Sequence, residues 1–251
     1  MINLATALAL IGALFLAMLA LVETGRRMGL RRKIEGLVAV EGAVFGLMGL
    51  LLAFTFGSAA VRFETRRSLI VEEANDIGTA YLRLDLLPAE AQPKLRDAFR
   101  RYVDTRLAIY QGVPNIAAAK ADLTRMAELQ KEIWEGSVVA CRESGSQAST
   151  MLLLPALNEM IDITTTRTVA VQTHQPAVIF VMLALVMLAC SLLAGFGMSV
   201  GTSRSWLHVV CFAAVLTIAF YVILDLEYPR VGVIRIDWMD QILRDVRAGM
   251  G

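Results

Sequence analysis

The residues able to do chemistry in this chain are few, and their spacing argues against catalysis. Histidine occurs twice, at His174 and His208, one just before the third long apolar run and one near the start of the fourth. A simple hairpin would put them at opposite membrane faces, so they cannot share a metal. Glu72 and Glu73 are adjacent, and on a helix they diverge by about 100° instead of forming an acid–base pair. No HExxH, GxSxG, GxxxxGK[ST] or GxGxxG occurs, so the motifs of zinc proteases, hydrolases, P-loop NTPases and dinucleotide binders are absent. Cys141, Cys190 and Cys211 form no CxxC pair, which gives neither a disulfide framework nor a zinc site. The residues imply no enzyme, no resident metal and no cofactor.

What remains is a possible path for ions. In the second apolar run Val44, Met48, Leu51, Thr55, Ser58 and Arg62 share one helical face. That face turns from apolar to hydroxyl to cationic, and continued further it brings up Leu69, Glu73 and Asp76. A graded stripe suits a pore wall, with Met48 and Leu51 as a dry constriction and Glu73 and Asp76 as vestibule charges. It suits equally a helix that emerges from lipid into water. On the opposite side Gly42, Gly46, Gly49, Ala53, Gly57 and Ala60 fall in a narrow stripe. Small residues let helix backbones approach closely in lipid, against the chain's own first helix or against another subunit. Glu41, His208 and Asp225 are ionisable groups in or beside apolar runs. All lie near helix ends, and none is placed for a mid-membrane proton relay.

The elements that carry these residues are set by composition. Of the 251 residues, 57% are hydrophobic and the mean hydropathy is +0.60, beyond what a water-soluble domain uses. A net charge of +1 gives no bulk attraction to nucleic acid. Four apolar runs, Asn3 to Val22, Val38 to Ala60, Ala177 to Val200 and Trp206 to Leu224, each reach about 30 Å at about 1.5 Å per residue. The first lacks a basic leader and a small-x-small site, so it reads as a retained helix. The expected fold is an all-α membrane protein, with four transmembrane helices as two hairpins and a helical polar domain between the second and third. The divisions are a first hairpin over 1–60, a helical domain over 61–175, a second hairpin over 176–226 and a polar C-terminal segment over 227–251.

Inside 61–175 there are 14 Lys/Arg and 15 Asp/Glu, a surface built to meet water. Leu95, Phe99, Tyr102, Val103, Leu107 and Tyr110 recur at helical spacing, ending at Gly112 and Pro114. Asn115 caps a second helix with Ala119, Leu123, Met126, Ile133 and Val138 as its apolar stripe. Gly145 breaks it, and a third helix from Ser149 carries Pro155. The stretch Glu23-Thr-Gly-Arg-Arg-Met-Gly-Leu-Arg-Arg-Lys33 reads as a short basic connection. Six basic residues near one membrane face against seven near the other leave orientation open on charge alone.

Three stretches carry a resemblance. Glu73-Ala-Asn-Asp-Ile-Gly-Thr-Ala-Tyr-Leu-Arg-Leu-Asp-Leu-Leu-Pro88, the preceding Gly49-Leu-Leu-Leu-Ala-Phe-Thr-Phe-Gly-Ser-Ala-Ala-Val-Arg-Phe63 and the later Leu226-Glu-Tyr-Pro-Arg-Val-Gly-Val-Ile-Arg-Ile-Asp237 are similar to a family of bacterial membrane proteins described as bestrophin-like, remote relatives of the bestrophin channels. The resemblance implies a homo-oligomeric, pentameric ion channel of the bacterial inner membrane. It would have the second helix lining its pore and the termini and middle domain in the cytoplasm. The chain's partners would then be itself, the lipid bilayer and permeant inorganic ions. No acidic calcium-clasp motif is present, and Phe45, Phe54 and Phe56 lie off the graded stripe. Two other readings stay open: a stator-like proton channel subunit, and a non-conducting membrane scaffold or sensor.

Overall fold

A computed structural model describes residues 4–31, 38–111, 116–200, 206–229 and 232–251. Among them the elements are helices: α1 (Leu4–Arg31), α2 (Val38–Leu82), α3 (Gln92–Gln111), α4 (Ile116–Ser144), α5 (Gln147–Gln172), α6 (Ala177–Gly197), α7 (Trp206–Glu227) and α8 (Asp240–Ala248), with short 3-10 turns at Arg83–Leu86, Met198–Val200 and Asp237–Met239. The chain divides into two compact units. One comprises Met1–Phe63 and His174–Arg235, the other Glu64–Thr173 and Ile236–Gly251.

The first unit holds the apolar helices. Only 11–33% of the residues in the four most apolar helical windows are buried inside the chain, so most of that surface requires lipid as its solvent. What is buried forms a seam of Met18, Met48, Ala59, Leu183, Met187, Cys190, Ala213, Leu216, Phe220 and Ile223. The closest pair is α1 with α6, not the α1–α2 hairpin expected from sequence adjacency. A Cβ at Gly25 would overlap the Leu192 carbonyl, one at Gly195 the Val22 carbonyl, and one at Gly29 the Ser199 side chain. These contacts advance together along both chains, so α1 and α6 run parallel with their backbones touching, as small residues in lipid permit. The expected connection after Val22 is helix as far as Arg31, because it continues the packing face through Gly25 and Gly29.

The second unit is a helical assembly around Ile77, Tyr81, Leu84, Phe99, Tyr102, Ile133, Leu153, Leu157 and Met160. Full burial of each such side chain contributes about 1.5–3 kcal/mol. The α3 stripe is as expected at Leu95, Phe99, Tyr102 and Val103, all buried, with Leu107 packed beside them. In α4 Met126 and Ile133 are buried, Leu129, Ala140 and Cys141 join them, and Leu123 is exposed. Gly112, Pro114 and Asn115, and the side chains of Tyr110 and Ala119, lie outside the described residues. Gly145 ends α4 at φ 62°, a conformation glycine takes without the Cβ penalty. Ser146 caps α5 by accepting from the Ser149 amide at 3.2 Å. Pro155 sits inside α5 without ending it. Residues 236–251 belong to this unit, not to a separate tail: Tyr81 Oη and Arg100 Nε both donate to the Met250 carbonyl, and Arg247 pairs with Asp104 at 2.8 Å.

Candidate functional site

Helix α2 is 45 residues long, and its two faces have different fates. Met48 and Thr55 are buried within the membrane unit, and Leu51 is partly buried beside them. The Thr55 hydroxyl is spent on the Leu51 carbonyl at 2.6 Å. Ser58 donates to the Thr55 carbonyl at 3.0 Å and faces the Gln175 side chain. Arg62 donates from Nε to Glu227 at 3.0 Å and from Nη2 to Gln175 Oε1 at 2.8 Å. Met48, Leu51, Thr55, Ser58 and Arg62, the face expected to line a pore, thus lie toward the membrane unit of their own chain, with Met48 and Thr55 buried and Leu51, Ser58 and Arg62 half-buried. The gradation from apolar to cationic is real, but it follows the depth of a buried seam.

The opposite face is bare. Among the described residues, nothing beyond the helix's own backbone lies within 4 Å of where a Cβ would stand at Gly42, Gly46, Gly49 or Gly57. Ala53 is exposed with them, as are Leu50, Phe54, Phe56 and Val61. This stripe, expected to pack helices together, is covered by none of the described residues.

Glu227 is the centre of the polar knot around Arg62. Its side chain is fully buried and receives the Gln175 backbone N–H at 2.7 Å, with His174 Nδ1 at 3.5 Å from the same carboxylate. The His174 ring stacks on Tyr228 at 4.7 Å. Pro176 follows immediately as the N-cap of α6, so Glu227 places a negative charge at a helix N-terminus, the favourable end. Two residues earlier Asp225 accepts from the amides of Val233 and Ile234 at 3.0 and 2.7 Å and presses against Gly232. Asp225 is thus a clamp for the segment after α7. Glu41, the other acid singled out beside an apolar run, lies against Gly197.

In the helical unit Glu73 is not an open charge but the hub of a buried ionic cluster. Its side chain is fully buried, Arg106 reaches it at 2.5 Å, and Arg167 pairs with its other oxygen. Arg106 also donates to the Met126 sulfur at 3.2 Å. The cluster ties α2, α3 and α5 together, so Glu73, expected as a vestibule charge, is held between two arginines inside the helical unit. Arg66 donates to the Ala170 and Thr173 carbonyls at 3.1 and 2.8 Å, a cation on the last turn of α5. Sequence reasoning missed Arg66, Arg106, Arg167 and Glu227. Arg66 and Arg106 sit within amphipathic stretches, where a charge on the inner face is the signal that marks a buried pair.

Asp76 is half-buried, one turn past the hub. Burial first, then the neighbouring Glu72 and Glu159, push its carboxyl above the usual range. It borders a shallow depression of about 510 Å³ lined by Glu64, Arg67, Val71, Glu72, Asn75 and Met239. Arg67 lies over the exposed Trp238 ring at 5.7 Å. Among the described residues no cluster of three or more His, Cys, Asp or Glu could hold a metal.

A family model described as a Bestrophin-like domain matches residues 7–238. Three crystal structures of point variants of a bacterial bestrophin homologue from Klebsiella pneumoniae share the fold. One superposes with a TM-score of 0.73 at 17% identity, covering 98% of this chain and 97% of that one. The other two give 0.68 at 16% identity, covering 93 and 95% of this chain and 96 and 97% of theirs. A search of curated proteins finds no significant match.

Proposed function

Because the chain belongs to the Bestrophin-like family, we propose that it is the subunit of a homo-oligomeric ion channel of the bacterial inner membrane, with a pentamer favoured. In this reading copies of α2 surround the ion path. The face directed at the path and at neighbouring copies is that of Gly42, Gly46, Gly49, Ala53 and Gly57. One observation supports it above the rest: among the described residues a membrane helix leaves a continuous small-residue face uncovered while its opposite face buries Met48 and Thr55 and half-buries Leu51 and Ser58. A helix serving only its own subunit gains nothing from five bare small positions in register. The helical unit and both termini are cytoplasmic in this reading, and Asp76 with Glu64 and Glu72 supplies acidic character beyond the apolar run.

Planar-bilayer recording of the purified protein tests the proposal. Ala53→Phe narrows the proposed path and should reduce unit conductance, whereas Leu51→Ala on the covered face should alter stability and leave conductance unchanged. The opposite result would assign the path to the Met48–Arg62 face. Silence of the parent across voltage, pH and calcium would favour the non-conducting scaffold. Labelling of single cysteines in intact spheroplasts tests orientation: external reaction at Lys131→Cys but not Met28→Cys would reverse it.

A further inference from the structure

The last two turns of α1 carry a basic, half-apolar face that the membrane unit does not cover. Its apolar stretch ends near Val22, and the helix continues to Arg31. At about 1.5 Å per residue, Arg26 and Arg27 stand about 6–8 Å beyond the hydrocarbon and Arg31 about 13 Å. The headgroup layer occupies about 5–7 Å on each side, and long arginine side chains reach back toward it. Leu30 and Met28 are exposed among these arginines, at 61 and 50%. Arg27 pairs with Glu23 at 2.9 Å, whereas Arg26 and Arg31 show no ion pair among the described residues.

A second helix reaches the same level independently. Thr217 of α7 donates to Met18 of α1 at 3.6 Å. α6 runs parallel to α1, and α7 starts where α6 ends, so α7 runs antiparallel to α1. Eleven residues from each partner, Trp206 is level with Gly29. Trp206 and Leu207 are exposed, at 51 and 72%, and tryptophan is enriched at the headgroup level. Among the described residues Glu23, Glu41, which lies against Gly197, His208 and Cys211 are the other titratable groups toward this end.

We propose that Arg26, Arg27 and Arg31, flanked by Leu30, Met28 and Trp206, form a binding surface for the headgroup of an anionic phospholipid. The arginines supply the forked donors that suit a phosphodiester. Charge and depth both select this occupant, because Arg26 and Arg27 stand at the level of the headgroup phosphates, long arginine side chains reach back toward it, and Trp206 belongs to the same end of the membrane unit. The inference does not depend on conduction or on which membrane face this end occupies.

Native mass spectrometry of the detergent-purified full chain, loaded with phosphatidylglycerol or phosphatidylcholine, tests it. The parent should retain phosphatidylglycerol preferentially. The variant R26Q/R27Q/R31Q should lose that preference by roughly fivefold per arginine, about a hundredfold together, and R26K/R27K/R31K should keep most of it. Equal retention of the two lipids by the parent would overturn the proposal, as would a triple glutamine variant that still prefers phosphatidylglycerol. Competition by inorganic phosphate as effective as the lipid itself would reassign the surface to free anions. Should the glutamine variant fail to fold, the parent's preference must still fall steeply with added salt, and a salt-indifferent preference overturns the proposal.

Discussion

Two sets of glycines, alike in spacing and both in or next to apolar helix, meet opposite surroundings. Gly25, Gly29 and Gly195 press helix backbones together within the membrane unit, whereas Gly42, Gly46, Gly49 and Gly57 touch nothing. Gly25-x-x-x-Gly29 and Gly42-x-x-x-Gly46 are the same pattern. The pattern states that a close approach is possible, and the rest of the chain decides whether it is used. The covered set determines the fold of one subunit, and the bare set is free for what lies outside it.

The comparison breaks most sharply at the covered set. Gly25→Leu or Gly195→Leu should cost more than about 3 kcal/mol, because overpacking here is against backbone, which cannot rotate away. The expected result is loss of monodisperse protein in detergent, and a variant with parental melting temperature would show that the α1–α6 contact is not as close as described. The buried Glu73 offers a second test of what coverage means. Glu73→Gln leaves two guanidiniums facing no carboxylate and should destabilise the protein by about 3–5 kcal/mol, read by thermal unfolding. An exposed vestibule charge would lose almost nothing.

The bare set predicts the reverse. Gly46→Leu should leave subunit stability within about 0.5 kcal/mol and change the mass of the assembled particle by light scattering. An unchanged mass would mean that this face looks at lipid. The smallest effect belongs to Asp76. The folded state disfavours its ionised form, so it weakens the protein as pH rises above the ordinary carboxylate value of 3.8. Asp76→Asn should therefore raise the melting temperature slightly at neutral pH, with the gain disappearing under acid conditions. A gain that grows in acid would invert the assignment.

How far the sequence was legible follows the same division. Apolar length alone marks α1, α2, α6 and α7, because nothing but lipid accommodates such runs, and the spacing of Leu95, Phe99, Tyr102 and Val103 marks α3. Helical periodicity also divides α2 into a graded face and a small-residue face. It could not say which was covered, since Met48 and Gly46 are equally compatible with lipid and protein. The partners of Glu73 and Arg62 are illegible for a related reason: a charge leaving a membrane reads as solvated unless its partners are known, and Arg106, Arg167 and Glu227 lie 33, 94 and 165 residues away. The basic stretch after Val22 was read as a connection because arginines suggested an exit from helix, while Gly25 and Gly29 were already continuing its packing face.

The pairing of α1 with α6 also carries a consequence for how the protein is made. Gly25 meets Leu192 and Phe196, 167 and 171 residues further along the chain. At about 5–20 residues per second, α1 emerges from the ribosome roughly 10–30 s before α6 exists. Throughout that interval its glycine face has no mate in the nascent chain and must be sheltered by lipid or by the insertion machinery. The membrane unit therefore closes late in synthesis, whereas Glu73, Arg106 and Arg167 can already have joined.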